Sequence, residues 1–265
     1  MQHRDRNLAS ARTAISGQQT ARIIYIKERN LAMLITDVMK QSPLRLLGDE
    51  TDDIFMPGKF GAVMAGPGVG KTSLMVQLAL YALLSEKSVL HISLNDPVHK
   101  VSLWYEEVFK NLAVSTSTIQ MQEIWETVQK HRFIMTFQVE GFSVPKLRER
   151  LTDLTEQGIF SPQMLIIDGL PFDPPAEDTL SALKKLAVSQ NLSAWFTVQT
   201  PRNEAVPFGP VPGSIADRFD LMIFLQPDGK EVKITPIKGT RSENKPPELY
   251  LDAATMLIHR RGDAA

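Results

Sequence analysis

Cysteine is missing from the sequence. Its absence excludes disulfides, thiolate zinc sites and a cysteine nucleophile, and it fits a reducing cytoplasm, the expected location. Charge of one sign is not in excess either: the formal net charge is -1 at pH 7 and the pI is about 6.5. No global basic field gathers nucleic acid, so only a local patch could do so. The N-terminus, MQHRDRNLASARTAIS, contains no apolar core of the signal-peptide kind. No apolar run approaches the ~18 residues a membrane helix needs, so no membrane partner is expected. Internal repeats and low-complexity tracts are also lacking. What is present is ordinary for a globular chain: 43% hydrophobic and 22% charged over 265 residues, enough for one large domain with an appendage.

Residues 1–54 read as the appendage. Residues 1–21 carry Arg4, Arg6 and Arg12 and few large apolar groups, as in a mobile arm or a helix needing a partner. Residues 22–27 (RIIYIK) form a short strand pattern. Residues 28–40 place Leu31, Leu34, Ile35 and Val38 at helical spacing, and Ser42-Pro43 stops that helix. The acidic run at 48–53 is a surface loop. From 55 to 265 strands and helices alternate. Strands are expected at 60–65, 88–94, 132–138, 164–168, 193–199, 220–225, 231–237, 248–251 and 256–259. Helices are expected at 71–84, 98–112, 119–130, 143–157 (ended by Gly158) and 177–190. In the first of these, Leu74, Val76, Leu78, Ala79 and Ala82 are the inward residues. Short apolar strands between amphipathic helices predict an α/β fold, three layers deep, with a mainly parallel sheet. The Asp-Gly-Lys turn at 228–230 is too short for a crossover helix, so the C-terminal strands are antiparallel.

The strand at 60–65 runs into Ala65-Gly66-Pro67-Gly68-Val69-Gly70-Lys71-Thr72-Ser73, which opens a helix. Glycines let successive N–H groups curl around an anion, and the helix N-terminus adds partial positive charge. In this pattern Lys71 reaches the β- and γ-phosphates and Thr72 ligates Mg²⁺. The first position is Ala65 where the strict pattern has glycine. The run Met164-Leu165-Ile166-Ile167-Asp168 supplies the partner element, an apolar strand ending in a metal-binding carboxylate.

Four landmarks together make residues 55–260 resemble the RecA-like ATPases, nearest the branch of DnaB-type helicases and the KaiC family. They are AGPGVGKTS, the strand SVLHISL, LIIDG, and SAWFTVQ followed by GSIADRFDLMIFLQPDGKEVKITPIKGTR. The resemblance implies a RecA-like fold, ATP and Mg²⁺ as ligands, and ATP hydrolysis at subunit junctions of a homo-oligomeric ring, with a hexamer among the open sizes. It makes Gln199 a γ-phosphate sensor, and Lys238 with Arg241 the basic pair that reaches a neighbour's nucleotide, here spaced Lys-x-x-Arg rather than Lys-x-Arg. It implies that the helix at 28–40 packs on an adjacent subunit. At the tip of SVLHISL the family carries a catalytic Glu, whereas this chain has Asn95 and then Asp96. Asn can hold a water but cannot take a proton. Asp96 is either a substitute base or a helix N-cap, with Pro97 at the favoured first helical position.

The loops that grip single-stranded DNA in helicase relatives are poor in bases here. LPFDPPAED has Asp173, Glu177 and Asp178, and TPRNEAVPFGPVPG sets Arg202 against Glu204. Phe172 and Phe208 could stack on bases or plug subunit contacts, but a phosphate-tracking groove needs positive charge. The leading expectation is therefore a slow, Mg²⁺-dependent, ring-forming ATPase, with a protein partner favoured over nucleic acid. The alternatives are a nucleotide-binding regulatory module that does not hydrolyse, a DNA-dependent ATPase, and a small-molecule kinase, for which a basic lid is lacking. Without an Asn-Lys-x-Asp guanine motif, adenine is the default base.

Overall fold

The computed structural model describes residue 25 and residues 29–40, 55–172, 176–200, 213–239 and 248–261. Within them lie nine strands. Residues 29–40 form helix α1. The rest, in chain order, are β1 (Phe60–Ala65), α2 (Lys71–Leu84), β2 (Val89–Ser93), α3 (Val98–Leu112), α4 (Thr118–Lys130), β3 (Arg132–Thr136), α5 (Val144–Glu156), β4 (Met164–Asp168), α6 (Ala176–Ser189), β5 (Ser193–Gln199), the one-turn α7 (Gly213–Ala216), β6 (Leu221–Asp228), β7 (Glu231–Lys238), β8 (Leu249–Asp252) and β9 (Ile258–Arg260). The single sheet runs β3-β2-β4-β5-β1-β6-β7-β8-β9. From β3 to β6 every pairing is parallel, and from β6 to β9 every pairing is antiparallel. The chain is thus α/β with a mainly parallel central sheet and an antiparallel C-terminal extension.

The apolar strands are buried on both faces, and alternation divides their side chains between two cores. Val63, Val89, Met164, Ile166 and Trp195 face one core, with α1 to α4 above it. Ala62, Leu90, Ile92, Leu165, Ile167 and Phe196 face the other, with α5 and α6. Because β1, β2, β4 and β5 are parallel, their C-terminal ends share one edge of the sheet, where ligands of such folds bind.

Local signals account for most boundaries. Ser117 and Ser143 cap α4 and α5, each hydroxyl accepting from an N–H three residues on. A single 3-10 turn at Val139–Gly141 follows β3, which ends at Thr136 rather than at 138. The β6–β7 hairpin closes on two residues, with Asp228 opposite Glu231. Strand β6 runs on past 225 because the ladder continues through polar residues at the hairpin end, while β7 gains only Lys238 at its far end.

Two expectations are corrected. Helix α2 is buried at every residue from Ser73 to Leu84, not only at the five read as inward. It packs on β1, β4, β5 and α3 and lies in the same core as β8, β9 and Val38. Helix α1 also joins this core, with Val38 1% exposed and Leu31, Leu34 and Ile35 against it. Asp96 is not a helix cap: Pro97 itself holds the N-cap position of α3, without a side-chain bond. The strand pattern at 22–27, apart from Tyr25, and the loop at 48–53 lie outside the described residues.

Asp220 ties β6 to β1 at the other edge of the sheet. Its Oδ2 accepts from the Phe60 N–H (2.8 Å) and Lys184 Nζ (2.7 Å), and its Oδ1 from Lys59 Nζ (3.2 Å). Burial alone pushes its pKa up, but the hydrogen bonds from Lys184 and Phe60 and the Lys184 charge outweigh that and hold it below the usual value. We expect Asp220→Ala to cost about 2 kcal/mol at pH 7, chiefly from the orphaned Phe60 N–H. The carboxylate is about a third exposed, so screening keeps the ion-pair share small. The charge contribution is complete above the unfolded pKa of about 4 and is lost as pH falls through the lower folded value. The gap between the melting curves of the two proteins should therefore narrow, without closing, as pH falls below about 4. A gap of constant size across that range would count against the ionic contribution.

Candidate functional site

The loop after β1 is built as its sequence suggests. Gly70 stands at φ 108° as the N-cap of α2, an angle that L side chains rarely adopt. A methyl group there would also meet Leu251 Cδ2 at 2.7 Å, so β8 braces the loop from outside. Lys71 folds back over the loop, donating to the carbonyls of Ala65 (3.0 Å) and Gly66 (2.9 Å). Burial lowers its pKa, and the negative charge of Asp168 opposes that shift.

The second part of the site comes from strand register. Ser93 pairs with Asp168 across β2 and β4, and with Thr136 across β2 and β3. One step beyond the paired Ile167 and Phe196, Asp168 meets Thr197. A row of polar side chains, Thr136, Ser93, Asp168 and Thr197, therefore crosses four neighbouring strands. Asp168 is gripped at both oxygens: Thr72 Oγ1 donates to Oδ2 (3.0 Å) and Thr197 Oγ1 to Oδ1 (2.7 Å). Thr197 Oγ1 also accepts from the Gly169 N–H at 2.9 Å. One layer below, buried His91 bonds the Tyr105 hydroxyl through Nδ1 (3.0 Å). Burial, and then the charge of Arg132, drive its pKa down to about 3. The ring is neutral near pH 7 and is not a proton carrier there.

At the tip of β2, Asn95 is exposed and its carboxamide lies over Gly169. Gly169 has φ 90°, and any side chain there would collide with Asn95. Asp96 turns away into an ion pair with Lys100 (Oδ1 to Nζ 2.7 Å), while its N–H donates to Ser93 Oγ (2.9 Å). Gln199 is exposed at the end of β5, opposite Ala65, and the next N–H, of Thr200, donates to the Ala65 carbonyl at 2.9 Å.

The structure thus brings together the loop at 66–72, Asp168, Asn95 and Gln199. It does not bring Lys238 to them: Lys238 donates to the Ala216 carbonyl of its own chain (3.1 Å). Arg241, Asp173, Arg202, Glu204 and Phe208 lie outside the described residues. Phe172 packs edge-on against Phe196 and tilted against Phe219, so its ring is occupied within its own chain. The Ser73 hydroxyl points away from the loop and donates to the Met256 carbonyl at 3.0 Å. Gln77 donates to the same carbonyl (2.6 Å) and accepts from the Ile258 N–H (3.2 Å). These bonds hold the β8–β9 turn against α2.

Sequence reasoning missed Thr197 and the Ser73–Gln77 clasp. A threonine among Trp195, Phe196 and Val198 was the available signal for the first. For a metal ion, Asp168 and Thr72 fit Mg²⁺, which takes one or two carboxylates and completes its shell with water and phosphate oxygens. Among the described residues no group of three His, Asp or Glu could form a closed cage, so such an ion would arrive with a phosphate ligand. No helix of the described residues is long and apolar enough to cross a membrane. No family model matches this chain, and no curated protein matches it either.

Proposed function

We propose that this chain is a RecA-like protein that binds ATP with Mg²⁺, hydrolyses it slowly and assembles into a nucleotide-linked ring. The observation that carries the reading is the Thr72–Asp168 bond, which joins the first residues of the phosphate-loop helix to a carboxylate two strands away. A glycine-rich turn alone has many uses. A glycine-rich turn coupled in this way to a strand-end carboxylate has the donor set of a Mg²⁺-nucleotide site. The strand order supports the same reading, since β1, β4 and β2 deliver loop, carboxylate and tip to one edge. When bound, Mg²⁺ would neutralise phosphate charge and polarise the bond that breaks. The chain's own residues do the rest. Backbone N–H groups of residues 68–71 cradle the phosphates (Pro67 has none to give), Lys71 exchanges the Ala65 and Gly66 carbonyls for phosphate oxygens, and Gln199 faces the γ-phosphate position.

A second reading, a nucleotide-binding module without turnover, is favoured by one observation. Asp96 is held by Lys100, and Asn95 cannot accept a proton at neutral pH. Titration of ATP with Mg²⁺ or with EDTA, followed by product release and molecular size, tests both. Tighter binding with Mg²⁺, slow release of ADP and a larger particle with ATP are expected. Absence of binding at millimolar ATP would overturn the nucleotide reading, and binding without any turnover would select the second. A monomer under all conditions would remove the ring.

A further inference from the structure

Thr197 lies under the phosphate loop, and no sequence motif marks it. Its side chain is 3% exposed, on the strand beside the one that ends in Asp168. Two contacts fix where its one hydroxyl proton points. The Gly169 N–H is a donor, so Thr197 Oγ1 must accept there. The proton is then free for Asp168 Oδ1, 2.7 Å away. Thr72 meets the other oxygen, and an ionised carboxylate only accepts, so its hydroxyl proton also points at Asp168. That leaves the Thr72 lone pairs turned outward, as a cation ligand requires. The carboxylate plane is thereby set from both sides, by the phosphate-loop helix and by β5.

We propose that Thr197 is the positioning residue of the metal carboxylate, holding Asp168 in the rotamer that receives Mg²⁺ with its nucleotide. The inference rests on the nucleotide-site reading above. Thr197 has a second effect through the same oxygen. Its bond to the Gly169 N–H fixes the peptide that follows Asp168, and the Asn95 carboxamide lies on that peptide. By strand alternation Gln199 lies two residues along on the same face. One buried hydroxyl therefore sets the metal carboxylate and the floor beneath Asn95, on the strand that carries Gln199. Threonine suits the task because its β-branch restricts χ1, so the hydroxyl direction is defined before any ligand arrives.

Thr197→Val keeps the shape and removes the hydroxyl, whereas Thr197→Ser keeps the hydroxyl. Binding of a fluorescent ATP analogue, with Mg²⁺ and with EDTA, separates positioning from plain structure. We expect Thr197→Val to bind the analogue normally in EDTA but to lose about tenfold of the Mg²⁺-dependent tightening, and Thr197→Ser to restore it. Folded Thr197→Val with the wild-type response to Mg²⁺ would overturn the proposal, as would equal losses in Mg²⁺ and EDTA. If Thr197→Val does not fold, Thr197→Ala against Thr197→Ser gives the same comparison. Lys71→Ala serves as the control for the underlying reading. A wild-type protein that binds no analogue removes that reading and this one with it. Binding that depends on Lys71 but not on the Thr197 hydroxyl removes this one alone.

Discussion

Lys71→Ala should lower ATP turnover by about 10²–10³-fold while leaving the fold intact. The size of the effect follows from where the ammonium sits. It is partly buried, and burial already lowers its pKa, so the folded protein holds a poorly solvated charge that only the negative charge of Asp168 partly offsets. A charge in that condition interacts far more strongly with incoming phosphate oxygens than one in water. Its two bonds to Ala65 and Gly66 are to neutral carbonyls and can be exchanged for charge-assisted bonds to phosphate. Lys71→Arg should not rescue the loss, because the planar guanidinium cannot enter where a point charge on a flexible stem fits. Steady-state ADP release with a parallel circular-dichroism melt decides the matter. Turnover within threefold of wild type would mean that the loop is not the phosphate site.

Asn95→Glu should raise turnover by about two orders of magnitude, the lower range of what a positioned general base contributes. Asn95 reaches over Gly169 to the side of Asp168, and glutamate is one methylene longer from the same Cα. Its carboxylate would extend past the glycine, toward where the proposed hydrolysis would need a water beside the γ-phosphate. The site is exposed at this point, so the new charge is not buried. The companion variant is Asp96→Asn. If the gain at position 95 fails and Asp96→Asn abolishes turnover, Asp96 is the base after all and must break its pair with Lys100 to act. A gain at 95 with little effect at 96 identifies a catalytic position that carries an amide in this chain.

Much of this site was legible because its parts are local. The phosphate loop needs a strand, glycines and a helix start within a dozen residues, and all of them are contiguous at 60–72. Asp168 was visible because an apolar run ending in a carboxylate is also a local pattern. Thr197 was not, since its role comes from the register of β5 against β4, which no window along the chain contains. The all-round burial of α2 was missed for a related reason. Five of its residues were read as inward, but β8 and β9, from nearly 180 residues later, cover further ones. The cap at Asp96 failed by one residue. Pro97 already has the extended angles of an N-cap, so Asp96 falls outside the helix and pairs with Lys100 instead. Lys238 was assigned a role toward a neighbouring subunit; within its own chain its side chain meets the carbonyl of Ala216.

The clasp of Ser73 and Gln77 on Met256 has a consequence for how the protein is made. Synthesis runs from the N-terminus, and early parts of a chain can begin to fold before later parts exist. The phosphate loop, α2, β4 and β5 are all present once residue 199 has been added. The groups that satisfy Gln77 are not, because Met256 and Ile258 are added more than fifty residues later. Until then the amide of Gln77 and the apolar flank of α2 must face solvent or a chaperone. A nascent chain therefore holds the glycine-rich loop and Asp168 before it holds the strands that brace them, and this part of the fold becomes rigid only as β8 and β9 arrive.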